Sequence, residues 1–352
     1  MGVKIASLEV VPYALPFRKP YVTARGRLDR REMVLLRLRD EDGLVGLGEA
    51  VPLSLRGGAA LSQVVSELEA LAGLASLDEA LLRDESTALS PPARCAALTA
   101  LLDLRGRVAA NKSSQDEPYG PVECNATLAT GEPVAVAEDA VAWAAEGFAS
   151  FKLKLGAGDD VGQVQAVREA VGPEARIRID ANAAWDVPTA KRKLAQLEPF
   201  DIELAEQPVG EMEELAEVGG ATSIPIAGDE SIETCADAEE AVRTGASDFA
   251  GVKLSKVGGP ETAIEIAGIL PCFLSSALDG PVGIAAAAQV AQTLDAASEG
   301  GPGLAHGLAT QRLFSSTIAS VECELRDGML HPPAGPGLGI EIDEAALNAH
   351  RL

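Results

Sequence analysis

A series of short apolar runs in the second half of the chain ends in charged or polar residues. These are Lys152 and Lys154, then Asp180, Glu206, Asp229 and Lys253, and finally Ser275-Ser276. Each step is 22 to 28 residues long, about one strand-plus-helix unit. Successive barrel strands with such ends set them side by side on the C-terminal rim, where barrel active sites are built. Three carboxylates converging there repel unless a cation sits between them. One strand-end carboxylate alone would be an ordinary surface group. Three in register, each after an apolar run, point to a metal. Hard oxygen ligands with open positions fit Mg²⁺, with Mn²⁺ as a substitute. Asp180, Glu206 and Asp229 are therefore the candidate metal ligands.

The lysines complete the chemistry. Side chains alternate along a strand, so in Lys152-Leu153-Lys154 both lysines point inward and Leu153 outward. Lys253 would face them from the opposite side of the barrel. A rim lysine can serve as a base when burial and neighbouring cations lower its pKa; otherwise it is a salt-bridge partner for the carboxylates. Arg178, Asp180 and Asn182 share one strand face. Together these parts describe proton abstraction beside a carboxylate, with a metal stabilising the enediolate and a lysine moving the proton.

The elements that must position these residues are legible as alternation. From 122 onward, apolar runs (122–128, 150–155, 176–181, 202–206, 224–228, 249–253, 272–275) alternate with Ala-rich helical runs. Repeated β-then-α units mean a parallel sheet with helical crossovers. No glycine-rich phosphate turn follows the first run, and seven or eight units in about 200 residues fit a (β/α) barrel. Residues 1–110 read differently, with strands (3–15, 33–39, 44–50) followed by helices (61–74, 77–83, 92–109), an α+β module. The polar stretch 111–120 reads as a linker. The segment 321–352 has no further βα unit and is expected to return to the N-terminal module.

Composition bounds the function. The 352 residues are 47% hydrophobic but only 3% aromatic, so small aliphatics must build the core. The net charge of −24 argues against nucleic acid or an anionic membrane as partner. Residues 1–120 hold 15 basic and 16 acidic residues, the rest 14 and 37. A local exception is the basic stretch 18–31. Five scattered cysteines without a CxxC pattern suit reduced thiols and a cytoplasmic location. No signal peptide and no membrane-spanning run is visible. Oligomeric state is not specified.

The order of KxK (Lys152, Lys154), D-x-N (Asp180, Asn182), E-Q-P (Glu206-Gln207-Pro208), G-D-E (Gly228-Asp229-Glu230) and V-K-x-x-K-x-G-G from Val252 to Gly259 resembles the enolase superfamily. The resemblance covers nearly the whole chain. It implies an α/β fold: a (β/α)7β TIM-like barrel (111–320) under an N-terminal α+β capping domain (1–110), with 321–352 returning to the cap. Segments 23–27 and 48–55 would close over the site, with the basic stretch as a cover for an anionic substrate. Lysines on both sides are similar to the muconate-lactonizing subgroup. Where a mandelate-racemase-like member carries His, this chain has Ser275-Ser276; only His306 could approach the rim. Dipeptide epimerases typically carry D-x-D near the eighth strand, where this chain has Leu304-Ala305-His306-Gly307-Leu308.

The run Leu274-Ser275-Ser276-Ala277-Leu278-Asp279 is similar to the actinobacterial o-succinylbenzoate synthases, although Asp279-Gly280 departs from their frequent Glu-Ser. That resemblance implies Mg²⁺-dependent dehydration of a small carboxylate substrate. Lys154 would be acid and base, Lys253 and Lys152 catalytic cations, and Asn125, Arg178, Asn182, Ser275, Ser276 and Arg25 substrate-binding. The rival expectations are N-succinylamino acid racemase, muconate cycloisomerase, a Schiff-base aldolase and a non-enzymatic metal-stabilised binding barrel.

Overall fold

The alternation in the first fifty residues folds into an antiparallel sheet of β1 (Ile5–Thr23), β2 (Gly26–Asp40) and β3 (Val45–Ala50), in that order. The computed structural model describes residues 4–23, 26–52, 57–73, 77–84, 87–110, 120–297 and 303–352. Arg25, residues 53–55 of the expected closing segment and most of the expected linker (111–119) lie outside them. The two faces of β2 enter different cores. Val34, Leu36 and Leu38 pack with α1 (Leu61–Ala70) and α3 (Pro91–Ala110), alongside the short α2 (Glu79–Arg83). Met33 and Leu35 join the larger core that continues into the barrel. α3 lies very close to β3. A Cβ at Gly48 would sit 1.9 Å from the Ala96 carbonyl oxygen, so only glycine fits there.

A two-residue strand, β4 (Val122–Glu123), precedes the barrel. Seven parallel strands then pair in chain order: β5 (Asn125–Leu128), β6 (Ser150–Lys154), β7 (Arg176–Asp180), β8 (Ile202–Glu206), β9 (Ile226–Gly228), β10 (Phe249–Val252) and β11 (Cys272–Leu274). Between them run α4 (Pro133–Ala145), α5 (Asp160–Val171), α6 (Val187–Leu197), α7 (Met212–Gly219), α8 (Cys235–Thr244), α9 (Leu254–Val257) and α10 (Pro260–Ala267), and α11 (Pro281–Ala297) follows. Outward-facing Phe151, Leu153, Ile177, Ile179 and Val252 belong to the main core, while Leu204, Ala227 and Phe273 form a separate cluster. That separation is the alternation of barrel strands between helix-covered exterior and side-chain-filled interior.

Residues 305–307 close the curl with parallel bridges on both sides, Cys124 to His306 and Ser275 to Gly307. The His306 ring is part of that closure. Its Nδ1 accepts the Leu274 N–H at 2.9 Å, and Nε2 lies 3.2 Å from Asp295 Oδ1. That network assigns the proton to Nε2. His306 is 1% exposed and belongs to the wall.

The chain end folds back. β12 (Ala319–Val321) pairs with β15 (Glu341–Ile342), and β13 (Glu324–Arg326) and β14 (Met329–His331) form a small sheet with β4. After α12 (Glu344–His350), the Leu352 N–H bonds Pro12 O of β1 at 3.0 Å.

The N-terminal sheet is tied to the loop after β11 by buried polar contacts. Arg31 donates to Pro52 O (2.9 Å) and Ala277 O (3.0 Å). Glu49 accepts from the Tyr13 hydroxyl (2.7 Å) and the Gly280 N–H (2.6 Å). A Cβ at Gly280 would lie 2.4 Å from the Tyr13 hydroxyl oxygen, so a larger residue here would displace the Tyr13 and Glu49 side chains. Burial, then the nearby Asp279 carboxylate, push the Glu49 carboxyl from 4.5 to about 7. The folded chain thus keeps a proton that the unfolded chain releases near 4.5, and stability falls as pH rises from there to about 7. A shift of this size corresponds to a loss on the order of 3 kcal/mol. Glu49→Gln can retain both bonds, accepting from Gly280 and donating to the Tyr13 oxygen. Urea unfolding at pH 5 and pH 8 should show a loss of stability in the wild type that is much reduced in Glu49→Gln. Parallel pH curves would exclude the assignment.

Candidate active site

The strand register delivers the charged residues to one level. Lys154 lies beside Asp180 and Asp180 beside Glu206. Lys152 Nζ sits between two carboxylates, 2.5 Å from Glu206 Oε2 and 2.8 Å from Asp180 Oδ2. Lys154 Nζ is 2.5 Å from the same Asp180 oxygen and 2.8 Å from Asn182 Oδ1. On the other side of the row, Lys253 is paired with Asp229 Oδ2. The three carboxylate side chains are at most 1% exposed, whereas that of Lys154 is 24% exposed, the most open of these ammonium groups.

Burial and charge act in opposite directions here. Burial would lower the Lys152 and Lys154 ammonium groups, but Asp180, joined by Glu206, outweighs it and raises both. Burial would raise Asp180, but Lys152 and Lys154 hold it well below the usual carboxylate range. Glu206 is raised, by burial and then by the Asp180 carboxylate.

Among the described residues, no three His, Cys, Asp or Glu side chains are arranged as a metal-holding group. Lysine ammonium groups occupy the spaces between the carboxylates. The donor set nevertheless fits a hard dication. It consists of carboxylate oxygens, and Glu206 Oε1 is buried without a hydrogen-bond partner.

The other expected site residues are distributed differently. Asn182 reaches the cluster through Lys154. Arg178 does not; it is fully buried, donates to Glu203 and to Ala305 O, and lies 5.1 Å over the Phe273 ring. Two residues before Asp180 on the same face, it is one layer deeper and braces the barrel interior. Asn125 is buried on β5 and bonds Ala126 O (3.2 Å) and Thr127 Oγ1 (3.3 Å). Ser275 lines a small cavity with Glu49, Cys95 and Asp279. Ser276 exchanges hydrogen bonds with Asp279 at 2.7 and 2.9 Å.

Arg27 pairs with Asp29 and Arg30 with Glu32, while Arg18 and Arg31 donate to backbone carbonyls. The two ion pairs lie within the ribbon, whereas Arg18 reaches Arg312 O and Arg31 reaches Pro52 O and Ala277 O. What the ribbon does bring near the site is Tyr21, close enough to act on Lys154 electrostatically.

Comparison with known proteins accords with this geometry. Residues 135–346 match the family model "Enolase C-terminal domain-like", and residues 5–114 match "Mandelate racemase / muconate lactonizing enzyme, N-terminal domain". The chain belongs to the enolase superfamily. Members of the superfamily are enzymes. A hydrophobic dipeptide epimerase of Enterococcus faecalis is 32% identical over 82% of this chain and 87% of its own. An o-succinylbenzoate synthase of Thermobifida fusca is 41% identical, over 46% of this chain and 50% of that protein. The solved dipeptide epimerase from Enterococcus faecalis V583, complexed with Mg and L-Leu-L-Tyr, superposes with a TM-score of 0.85 at 28% identity, covering 97% of this chain and 100% of that one.

Two residues inside these superfamily motifs were not singled out from the sequence. Gln207, in E-Q-P, has φ 39, a left-handed value that is strained for a non-glycine residue before proline. Its Oε1 accepts from Asp229 N (2.9 Å) and Ser231 N (3.2 Å), and its Nε2 donates to Val209 O (2.9 Å). The signal for it was a buried-type amide between a strand end and a proline. Lys256, in V-K-x-x-K, bonds Asp229; its signal was the spacing of one helical turn from Lys253. Replacing Gln207 by Ala strands the buried Asp229 N–H and the half-buried Ser231 N–H and should destabilise the fold by about 2–3 kcal/mol. Denaturant melts of Gln207→Ala measure this, and a cost below about 0.5 kcal/mol would contradict the clamp.

Proposed function

We propose that this protein is an o-succinylbenzoate synthase, a lyase that dehydrates 2-succinyl-6-hydroxy-2,4-cyclohexadiene-1-carboxylate in menaquinone synthesis. The observation that carries the lysine-mediated proton transfer is the pair of opposed ammonium sources across one carboxylate row: Lys152 and Lys154 on β6, Lys253 just after β10. The substrate choice is supported by the 41% identity to the Thermobifida synthase. We read residues 1–110 as the cap, 111–320 as the barrel and 321–352 as the return to the cap, in a cytoplasmic enzyme acting on a small carboxylate.

Asp180, Glu206 and Asp229 would hold Mg²⁺ or Mn²⁺, which supplies positive charge as a carboxylate enolises. Lys154 is the base because its side chain is the most open and its partner Asn182 orients it. Asp180 is what keeps the Lys154 ammonium protonated, so Lys154 becomes a competent base when the charge of Asp180 is drawn elsewhere. The neutral amine takes the proton alpha to the ring carboxylate. The C–O bond then breaks, the same nitrogen returns that proton to the departing hydroxide, and water leaves an aromatic ring. Lys253 stays cationic across the ring, where cation–π attraction to the forming product assists. Lys152 holds its charge between Asp180 and Glu206.

A second reading, racemase or epimerase, is favoured by the 32% identity to the dipeptide epimerase and by the same opposed lysines. Against dipeptides, the expected ammonium-holding D-x-D is replaced by a segment that closes the barrel through His306.

Lys154→Ala should lower turnover of the diene acid by at least about 100-fold, while Mg²⁺ still raises its melting temperature. Ordinary turnover in that variant sinks the assignment. Lys253→Arg keeps a cation but removes an acid/base of ordinary pKa. It should retain dehydration and abolish interconversion of the two enantiomers of an N-succinyl amino acid or of the epimers of a dipeptide. Wild-type enzyme that turns over only the latter substrates is a racemase or epimerase.

A further inference from the structure

We propose that Lys256 is a positioning residue for the cation site, fixing the Asp229 carboxylate from behind so that Oδ2 faces Lys253 and the carboxylate row. The inference rests on the reading of Asp180, Glu206 and Asp229 as metal ligands.

Lys256 is 4% exposed. Its ammonium donates to the main-chain oxygen of Asp229, to Asp229 Oδ1 at 3.0 Å, and to Gly251 O at 3.4 Å. An ammonium group has three N–H donors, and each finds an oxygen here. All three acceptors belong to the ends of β9 and β10. Lys256 is therefore engaged with the wall, in contrast to the more open Lys154. The short helix α9 sets the arrangement. Lys253 is its N-cap, and the Lys256 N–H bonds Lys253 O at 2.9 Å. One helical turn thus brings two ammonium groups to Asp229, Lys253 on Oδ2 and Lys256 on Oδ1. One ammonium group thus ties Oδ1 to the main chain of the same residue, which restrains the Asp229 carboxylate.

Charge and positioning make opposite demands, which renders the idea testable. As a nearby cation, Lys256 repels a dication, so its removal on charge grounds alone would tighten metal binding. As a positioning group, its removal frees the Asp229 carboxylate and weakens binding. Mn²⁺ is titrated into the full-length protein without substrate and free ion is followed by electron paramagnetic resonance, with circular dichroism confirming the fold. Lys256→Met should bind Mn²⁺ at least 10-fold more weakly than wild type. Lys256→Arg, which keeps the charge but not the tetrahedral donor geometry, should show the same loss. In both, kcat should recover at saturating metal more fully than kcat/KM at low metal. Unchanged or tighter Mn²⁺ binding by folded Lys256→Met overturns the proposal. If that variant does not fold, wild-type affinity in Lys256→Arg overturns it. If neither folds, the role is structural and the proposal fails. Absence of Mn²⁺ binding by the wild type removes the metal reading, and this inference with it; wild-type binding with unaltered variants removes this inference alone.

Discussion

Burying Asp180, Glu206 and Asp229 on one barrel rim sets carboxylate against carboxylate in a region where solvent screens little. Two unit charges 4 Å apart interact by about 1 kcal/mol in water and by about 4 kcal/mol at the effective dielectric of a protein site. The cluster persists because Lys152, Lys154, Lys253 and Lys256 are threaded between and behind the acids. The raised Glu206 and depressed Asp180 carboxyls register how unevenly that compensation falls. Neither charge set could be buried without the other.

The barrel exists to enforce this proximity, and its packing follows from it. Inward positions below the rim are filled by Leu204, Ala227 and Phe273, with Arg178 stretched across Phe273, so the polar layer rests on a solid floor. Outward positions pack on Ala-rich helices. Small side chains let α11 bury Ala285 to Ala288 and Ala291, which is how a chain so poor in aromatics still builds a continuous core. The N-terminal sheet is bound to the loop after β11 by groups that cannot easily be exchanged, Glu49 against Gly280 and Arg31 against Ala277.

Most of the barrel and the charged row were legible because both depend on local periodicity. Lys152-Leu153-Lys154 splits inward and outward as a strand must, and the strand-end residues recur once per βα unit. What was not legible depends on long-range closure. The ladder of β1 and β2 shifts register between Pro16 and Tyr21, the stretch that holds Pro20, and resumes at Tyr21–Leu28, a pairing set by cross-strand partners rather than by propensity. Arg178 shares a face with Asp180, yet depth along the strand separates brace from rim. His306 carries the chemistry of a catalytic residue and serves as a hydrogen-bond acceptor in the barrel wall, which only the pairing of residues 305–307 reveals. Gln207 and Lys256 act largely on backbone atoms, so their residue types do not advertise them.

The acidity of the whole chain says little about the ligand. The excess of acid lies in residues 121–352, which also hold the four site lysines. Those four ammonium groups face three carboxylates, leaving the buried cluster one positive charge in excess before any cation arrives. On the proposed reading, a dication would raise that excess, and burial makes uncompensated charge costly. The ligand that relieves it must bring more than one negative charge. The diene acid carries a ring carboxylate and a succinyl carboxylate, and so meets that demand, as do the dicarboxylates muconate and an N-succinyl amino acid. The local charge count, unlike the global one, therefore selects for a dianionic ligand, a class that the dehydration shares with its racemase and cycloisomerase rivals.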